Sequence, residues 1–247
     1  MNMNSFLNTF EPLVVILVGL ISLIVLALVI FNVPVSKWLK TSIVTILIIL
    51  LALIWISPQG TYARATSGNP SLNDPLNDIN SSSHWTKDTY CKFTDGTYHA
   101  TIAQQGYLSY CPAYGTNFGN FAYQVQMTIL QGDDGCIVFR ESETPLTEYY
   151  AFCVSYDGSY IFLVKRPSND GYTILHQGSN SSISSRQYQV NSVTVVAQGA
   201  ELDMYVNTYL VLMAKDNTSF QGSIGVGALD QTNSTDVIFS NVQAWPL

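Results

Sequence analysis

The chain has 247 residues, of which 47% are hydrophobic and only 11% are charged, and its formal net charge at pH 7 is -7. Such an acidic chain is a poor partner for nucleic acid or for an anionic lipid surface, and we expect neither as a ligand. The four cysteines lie beyond residue 90 without metal-ligand spacing, so neither a metal nor any other cofactor is expected.

Two uncharged apolar runs stand back to back at the start of the chain, at 12–31 and 43–56. As a helix, the first run would be about 30 Å long, which matches the hydrocarbon core of a bilayer. If the second run is extended to the stretch from Trp38 to Trp55, it has an indole at each end, where interfacial tryptophans usually lie. We therefore predict that residues 1–57 form a two-helix transmembrane hairpin, with spans at about 12–31 and 39–56.

The lysines of the short connecting loop set the expected orientation. Lys37 and Lys40 lie between the two runs, whereas the residues before the first run include no Lys or Arg. By the positive-inside rule the loop is cytoplasmic, which predicts a multi-pass protein of the cell membrane with an extracytoplasmic C-terminal domain. Arg64, just past the second run, opposes this assignment. A cleaved signal peptide is the alternative for the first run, but it would need a basic segment in front.

A change of composition follows the second run. Residues 58–84 are rich in Pro, Gly, Ser, Asn and Asp, and are predicted to be a flexible linker. Over 85–247, short runs of Val, Ile, Tyr and Phe alternate with turn signals, which predicts one all-β domain, a sandwich or a barrel. The expected strands lie at roughly 97–103, 107–111, 120–130, 136–140, 149–155, 159–165, 172–177, 191–198, 201–207, 209–214, 222–228 and 235–245.

Period-2 alternation separates core positions from surface positions in these strands. The side chains predicted to face the core include Phe121, Tyr123, Val125, Met127, Ile129, Ile137, Phe139, Tyr150, Phe152, Val154, Leu202, Met204 and Val206. Arg140 and Tyr149 are expected to lie opposite each other on an outer face. The outward-facing residues predicted to bind a ligand, provided that their strands are neighbours in one sheet, are Gln124, Gln126, Arg140, Tyr149, Asp203 and Tyr205.

The cysteines are expected to form disulfides in an oxidising compartment. If the chain folds back symmetrically about the Thr144-Pro145 bond, Cys136 lies opposite Cys153, which leaves Cys91 to pair with Cys111. Four cysteines allow three pairings, and this one depends on the assumed symmetry of the hairpin. Buried free thiols are the alternative.

Several passages of the domain resemble concanavalin A-like lectin/glucanase (laminin-G-like) sandwiches, over about residues 85–247. They are Asn117 to Val125, Gly135 to Arg140, Tyr149 to Phe152, Leu202 to Asn207 and the closing Val237 to Val242. The resemblance implies an antiparallel β-sandwich of the jelly-roll type. Similar domains are appended to membrane-anchored bacterial proteins, including the outward parts of some receptor-type Ser/Thr kinases, and a related branch is 3-keto-disaccharide hydrolase-like. This fold carries lectins, enzymes and adhesion modules alike, so the resemblance implies more about fold than about function.

Two groups of acidic residues could indicate a function other than sugar binding, namely glycoside hydrolysis or calcium binding. Glu141 and Glu143 have the alternating spacing of glucanase carboxylates, with Glu148 close behind, but they border the Thr144-Pro145 turn, which favours a solvated loop. Asp133-Asp134 offers two oxygen ligands to calcium, yet a turn alone explains this pair. We therefore predict neither a catalytic residue nor a metal site. The scattered histidines, His84, His99 and His176, are interpreted as structural.

The hypothesis is a membrane-anchored, extracytoplasmic module that binds a glycan or another extracellular ligand without catalysis. Two alternatives remain open: a sugar-acting hydrolase of the same fold, using Glu141, Glu143 or Glu148, and an interaction module whose hairpin pairs with another membrane protein. An ordinary solvated sheet face also accounts for the outward polar residues.

Overall fold

The structure is a computed structural model that describes residues 19–22, 36–77, 85–142, 148–167 and 171–247. The chain divides into two compact units, Met1–Arg64 and Ala65–Leu247.

The described part of the first unit is helical. Helix α1 spans Lys37–Trp55 and starts at Ser36, whose Oγ accepts a hydrogen bond from the Leu39 N–H at 3.3 Å. Helix α2 spans Pro58–Ala65, and the guanidinium of Arg64 lies 4.7 Å from the ring centroid of Trp55. Arg64 also donates a hydrogen bond to the Trp55 carbonyl.

The predicted two-helix hairpin is not what the described residues show. The first predicted span falls outside them, except for the helical residues 19–22. Within the described part of the chain, no single helix has the length and apolar character needed to cross a bilayer. The segments Thr41–Trp55 and Pro58–Ala65 satisfy the criterion only together, as a pair bent by 66°.

The second unit is a sandwich of two antiparallel sheets, as predicted. Its strands are β1 (Leu72–Asp74), β2 (Cys91–Thr94), β3 (Thr97–Ile102), β4 (Tyr107–Pro112), β5 (Phe121–Gln131), β6 (Asp134–Ser142), β7 (Glu148–Ser155), β8 (Ser159–Lys165), β9 (Tyr172–Ser179), β10 (Val190–Gln198), β11 (Glu201–Val206), β12 (Tyr209–Lys215), β13 (Ser223–Asp230) and β14 (Thr235–Pro246). The eight-stranded sheet has the order β12-β11-β10-β5-β14-β3-β2, with β1 also paired to β14. The six-stranded sheet has the order β4-β13-β6-β7-β8-β9.

The core lies between the two sheets and is built by the alternating apolar side chains. All thirteen side chains that alternation predicted to face inward belong to this one cluster. Phe139, Tyr150 and Phe162 stack there, with ring centroids 5.5 Å to 6.4 Å apart. The alternation therefore identified the buried faces of β5, β6, β7 and β11.

The predicted flexible linker contains ordered structure that composition did not indicate. Besides α2, it holds β1, whose residues pair with Val242–Ala244 of β14. The Asp74 carboxylate accepts hydrogen bonds from the Leu76 N–H at 2.8 Å and from Trp85 Nε1 at 3.1 Å, and Leu76 is fully buried. Asn and Asp are poor strand formers, so the pairing depends on the free edge offered by β14. The last predicted linker residues, 78–84, lie outside the described residues.

Both predicted disulfides are present. Cys136 and Cys153 are directly opposite in the β6–β7 register, with their Cα atoms 4.0 Å apart. The Cys91–Cys111 bridge joins β2 of one sheet to β4 of the other, so it ties the two layers of the sandwich together. All four cysteines are paired, and the alternative of free thiols is wrong.

Candidate functional site

The outer face of the six-stranded sheet carries a second, smaller apolar cluster. Its buried members are Cys136, Val138, Tyr149, Ala151, Cys153, Leu163 and Leu229, with Tyr110 packed against them. Tyr110 lies flat over β13 because this strand has glycines on that face; a Cβ at Gly225 would come within 2.5 Å of the Tyr110 ring. The rings of Tyr110 and Tyr149 therefore stack at 5.5 Å across the intervening strands.

A β-bulge interrupts the regular alternation at one end of this face. Phe139 of β6 pairs with Tyr150 and Ser142 pairs with Glu148, so Arg140 and Glu141 together oppose the single residue Tyr149. Arg140 has φ +52°, in the left-handed region that a non-glycine residue adopts only at a cost. From this point on, the side chains of β6 exchange faces. Glu141 now pairs with Ser223 on the outer face.

The bulge turns Arg140 inward, so the prediction that it faces solvent opposite Tyr149 is wrong. Its side chain is fully buried, and its guanidinium donates hydrogen bonds to three backbone carbonyls. Nη2 and Nε donate to Gly119 O at 3.0 Å and 3.3 Å, and Nη1 donates to Gly199 O at 2.7 Å and to Ser219 O at 3.1 Å. Burial lowers the pKa of the guanidinium. Arg140 thus holds three connecting segments together at one end of the sandwich.

The segment before β13 is held against the bulge. The Tyr150 hydroxyl accepts a hydrogen bond from the Ser219 N–H at 3.1 Å and donates one to Asp216. Gly222 follows, and a Cβ there would lie 2.2 Å from the Glu141 carbonyl oxygen. Only glycine allows the two backbones to approach this closely.

These elements enclose a pocket of about 310 Å³ on the outer side of the sandwich. Its lining residues are Tyr114, Gly115, Thr116, Asn117, Glu141, Ser142, Gln221, Gly222 and Ser223. Glu141 is only 6% exposed, and its carboxylate accepts a hydrogen bond from the Ser223 hydroxyl. The Tyr110 hydroxyl lies 3.3 Å from the same Ser223 oxygen.

The electrostatic character of the pocket follows from these contacts. Burial raises the pKa of Tyr110, and burial, with smaller effects from Tyr172 and Glu141, raises the pKa of Tyr149 to about 12. Both phenols therefore stay neutral at physiological pH. Among the described lining residues, Glu141 is the one carboxylate and none is basic. The pocket thus offers hydroxyl, amide and carboxylate groups to a ligand rich in hydrogen-bonding groups.

The six outward residues predicted to bind a ligand do not come together. Arg140 and Tyr149 belong to the six-stranded sheet, and Tyr149 lines the apolar cluster there. The other four lie on the outer face of the eight-stranded sheet: Gln124 and Gln126 on β5, and Asp203 and Tyr205 on β11. These four share one sheet, but β10 lies between β5 and β11, so the condition that the strands be neighbours in one sheet is not met.

Those four residues sit in a dense polar row. Thr194 of β10 donates to Gln124 Oε1 at 3.4 Å, and Asn241 of β14 donates to Gln126 Oε1 at 2.7 Å. Tyr205 is only 1% exposed, so its ring offers little surface to a ligand.

Asp203 lines a separate pocket of about 320 Å³ on that sheet, together with Glu201, Met213, Ala214 and Lys215. Burial, and to a lesser extent the charge of Glu201, raise the pKa of Asp203 to about 6.

The Asp133-Asp134 pair has structural partners. Asp133 accepts hydrogen bonds from the backbone N–H groups of Gln231, Thr232 and Asn233, which joins two turns. Against the effect of burial, a hydrogen bond from the Asn233 side chain together with these backbone bonds lowers the pKa of Asp133. Asp134 is fully buried and accepts a hydrogen bond from the Gln231 amide; burial raises its pKa to about 7. Within the described residues, no group of three or more His, Cys, Asp or Glu side chains is arranged to hold a metal ion.

The remaining sequence candidates are dispersed. Glu143 and His84 lie outside the described residues, and Glu148 pairs with Ser142 at the start of β7. His99 Nδ1 lies 2.9 Å from Asp236, and His176 stacks on Phe162.

Sequence reasoning missed Tyr110, Tyr114, Asn117, Gln221 and Ser223. The one sequence signal for Tyr110 was the pair of spaced glycines in β13, because strand positions without a side chain leave room for a large side chain from a neighbouring strand.

No protein-family model matches the chain, and no curated protein matches it by sequence. Solved structures do match. The carbohydrate-binding module CBM66 from Bacillus subtilis superposes with a TM-score of 0.53 at 18% identity, over 65% of this chain and 94% of that one. A Bacillus subtilis protein of unknown function with a galectin-like fold superposes with a TM-score of 0.54 at 11% identity, over 72% of this chain and 96% of that one. The β-glucanase of Bacillus licheniformis superposes with a TM-score of 0.52 at 11% identity, over 74% of this chain and 100% of that one.

The domain has a concanavalin A-like fold. The sequence resemblance to that group is thereby confirmed for the architecture. Identities this low show the fold alone, and the fold hosts binding modules and enzymes alike.

Arg140→Lys is expected to lower the free energy of unfolding by about 2 kcal/mol or more, because an ammonium group cannot reach three carbonyls with the planar fork of a guanidinium. Urea denaturation measures the loss, and Arg186→Lys on the exposed surface is the matched control. Equal stability of the two variants would show that the hydrogen bonds from Arg140 to the three carbonyls do not stabilise the fold.

Stability is expected to fall as the pH rises from about 4 to 7. Burial raises the folded-state pKa of Asp134 to about 7 and of Asp203 to about 6, from 3.8, so the folded state binds more protons in this window. The double variant Asp134→Asn, Asp203→Asn should flatten the dependence of unfolding free energy on pH. Asp95→Asn, at an exposed turn, is the control that should leave the slope intact.

Proposed function

We propose that this protein is a membrane-anchored, extracytoplasmic module that binds carbohydrate in the Glu141 pocket without catalysis. The observation that carries the proposal is the pocket itself: a buried carboxylate held by a serine hydroxyl, beside a tyrosine ring, amides and further hydroxyls. Saccharide hydroxyls both donate and accept hydrogen bonds, and this mixture of groups satisfies both roles.

An aromatic wall supports a sugar rather than a small polar ion. Tyr114 lines the pocket and is 53% exposed, and we expect the exposed part of its ring to stack against the C–H face of a pyranose or furanose. Glu141 and Ser223 would then receive and donate hydrogen bonds at the hydroxyls. Ligand sites in proteins combine a few fixed polar groups with apolar walls in this way.

The structural neighbours agree with this proposal at the level of fold. One of them is a carbohydrate-binding module and another is a β-glucanase, and both match nearly their whole length. A sandwich that carries sugar sites in those proteins supports a sugar site here.

The hydrolase alternative needs a second acid in the pocket. Glycosidases place two carboxyl groups about 5 to 10 Å apart across the glycosidic bond. Glu141 is the one carboxylate among the described lining residues, so a hydrolase would have to recruit Glu148 or Glu143. Binding without turnover is therefore favoured.

The proposed anchor depends on the N-terminal unit. The apolar side chains of α1 are largely exposed; Ile48 and Leu51 are 61% and 55% exposed, and a bilayer would cover such a surface. The same surface would also suit another membrane protein, which is the interaction-module alternative.

Binding should depend on Glu141. With the full chain in nanodiscs, since many detergents carry sugar headgroups, we expect an oligosaccharide panel to include a class that raises the unfolding midpoint saturably. Glu141→Ala should weaken that binding about ten- to a hundredfold, because a hydrogen bond to a charged group is lost.

Three results would redirect the proposal. If Asp203→Asn weakens binding while Glu141→Ala does not, the ligand lies on the eight-stranded sheet. Release of reducing ends from the bound sugar, abolished by Glu148→Gln, would establish the hydrolase. No shift with any sugar would favour the interaction module.

Topology can be read from lysine labelling of intact cells with a membrane-impermeant amine reagent. Lys87, Lys92 and Lys215 are exposed on the sandwich and should be modified. Lys37 and Lys40, in the predicted cytoplasmic loop, should react only after permeabilisation. If only these two lysines are labelled in intact cells, the orientation is the opposite of the predicted one. Release of the chain from membranes by alkaline carbonate would contradict the membrane anchor.

A further inference from the structure

Among the described residues that line the pocket, Glu141 carries the one charge, and no basic side chain balances it. Glu141 contributes a carboxylate, while the other lining side chains are hydroxyls, amides or none at all. Because Glu141 is buried and paired with the neutral Ser223 hydroxyl, its charge is poorly screened by solvent.

No Arg or Lys of the neighbouring strands and segments is among the described lining residues of the pocket. Arg140 is adjacent in sequence, but the bulge turns it to the opposite side, where three carbonyls occupy its guanidinium. Arg166 pairs with the Asp216 carboxylate at 3.3 Å and donates to the Thr218 hydroxyl at 3.0 Å. Lys165 lies opposite Tyr149 on β8 and is not among the lining residues.

We infer that the pocket selects uncharged saccharides and rejects acidic ones, such as uronic acids and sulfated or phosphorylated sugars, with Glu141 as the residue that rejects them. This inference rests on the proposed function and names the class of its ligand. An anionic group entering the pocket would meet the Glu141 carboxylate with no cation to offset it. Specificity of this kind comes from a repulsive element as much as from an attractive one.

The test compares sugars that differ by one group. Each neutral oligosaccharide that binds the full chain in nanodiscs of zwitterionic lipid is measured by calorimetry against the uronic acid of the same linkage. In that acid a carboxylate replaces a hydroxymethyl group. We expect the acidic sugar to bind at least about tenfold more weakly at low salt. The difference should shrink as sodium chloride is raised, because salt screens charge repulsion.

Glu141→Gln keeps the shape of the side chain and removes its charge. The ratio of neutral to acidic affinity should fall at least about fivefold in this variant, even if both affinities drop. Asp95→Asn, which removes one carboxylate from a distant exposed turn, should leave the ratio unchanged. Unfolding midpoints of both variants establish that they are folded. The salt dependence measured on the unmodified chain tests charge repulsion without any variant.

The outcomes are distinguishable. Acidic sugars that bind as well as neutral ones, or better, overturn the inference while sugar binding itself stands. Discrimination that is indifferent to both salt and Glu141→Gln also overturns it, because another feature would then be responsible. If no saccharide of either class binds, the proposed function falls and the inference falls with it.

Discussion

One extra residue in β6 determines the architecture of the site. Arg140, in a left-handed conformation, reverses the faces of everything that follows it in the strand, so its own side chain enters the sandwich and Glu141 emerges outside. The strain is offset by a guanidinium that satisfies three carbonyls from three separate segments. The segment before β13 is thereby positioned beside Glu141, and the pocket exists because that segment and the bulge are held together.

The surrounding sheet is adapted to this arrangement. Glycines at 225 and 227 remove side chains from β13, which lets Tyr110 lie flat and stack on Tyr149. The outer face of the six-stranded sheet therefore carries a buried apolar cluster on β6, β7, β8 and β13, and becomes polar at the pocket. A rigid aromatic floor next to a small polar cavity is a pre-organised arrangement, and it reduces the entropy lost when a ligand binds.

The two sheets have different outer faces. The eight-stranded sheet presents glutamines, asparagines and threonines that bond mainly to one another, as in the Thr194–Gln124 and Asn241–Gln126 pairs. Amides that are already paired have less capacity left for a ligand. Beside the six-stranded sheet, hydroxyl and amide groups meet in one pocket with Glu141, the one carboxylate among its described lining residues, and we propose the ligand site there.

Alternation in the sequence alone determined which side chains of β5, β7 and β11 face the core. The Cys136–Cys153 pairing followed from the assumed symmetric hairpin of β6 and β7, since both inferences depend on neighbours close in the chain. The alternation pattern could not reveal the bulge in β6, because in the sequence a bulge residue such as Arg140 cannot be distinguished from an ordinary outward-facing polar residue. Only tertiary structure decided that β6 and β11 lie in different sheets, that Asn73 and Asp74 form a strand against β14, and that residues from 114 to 223 meet around Glu141. These are long-range pairings, which depend on the complementary edges and surfaces of the folded domain rather than on local preference.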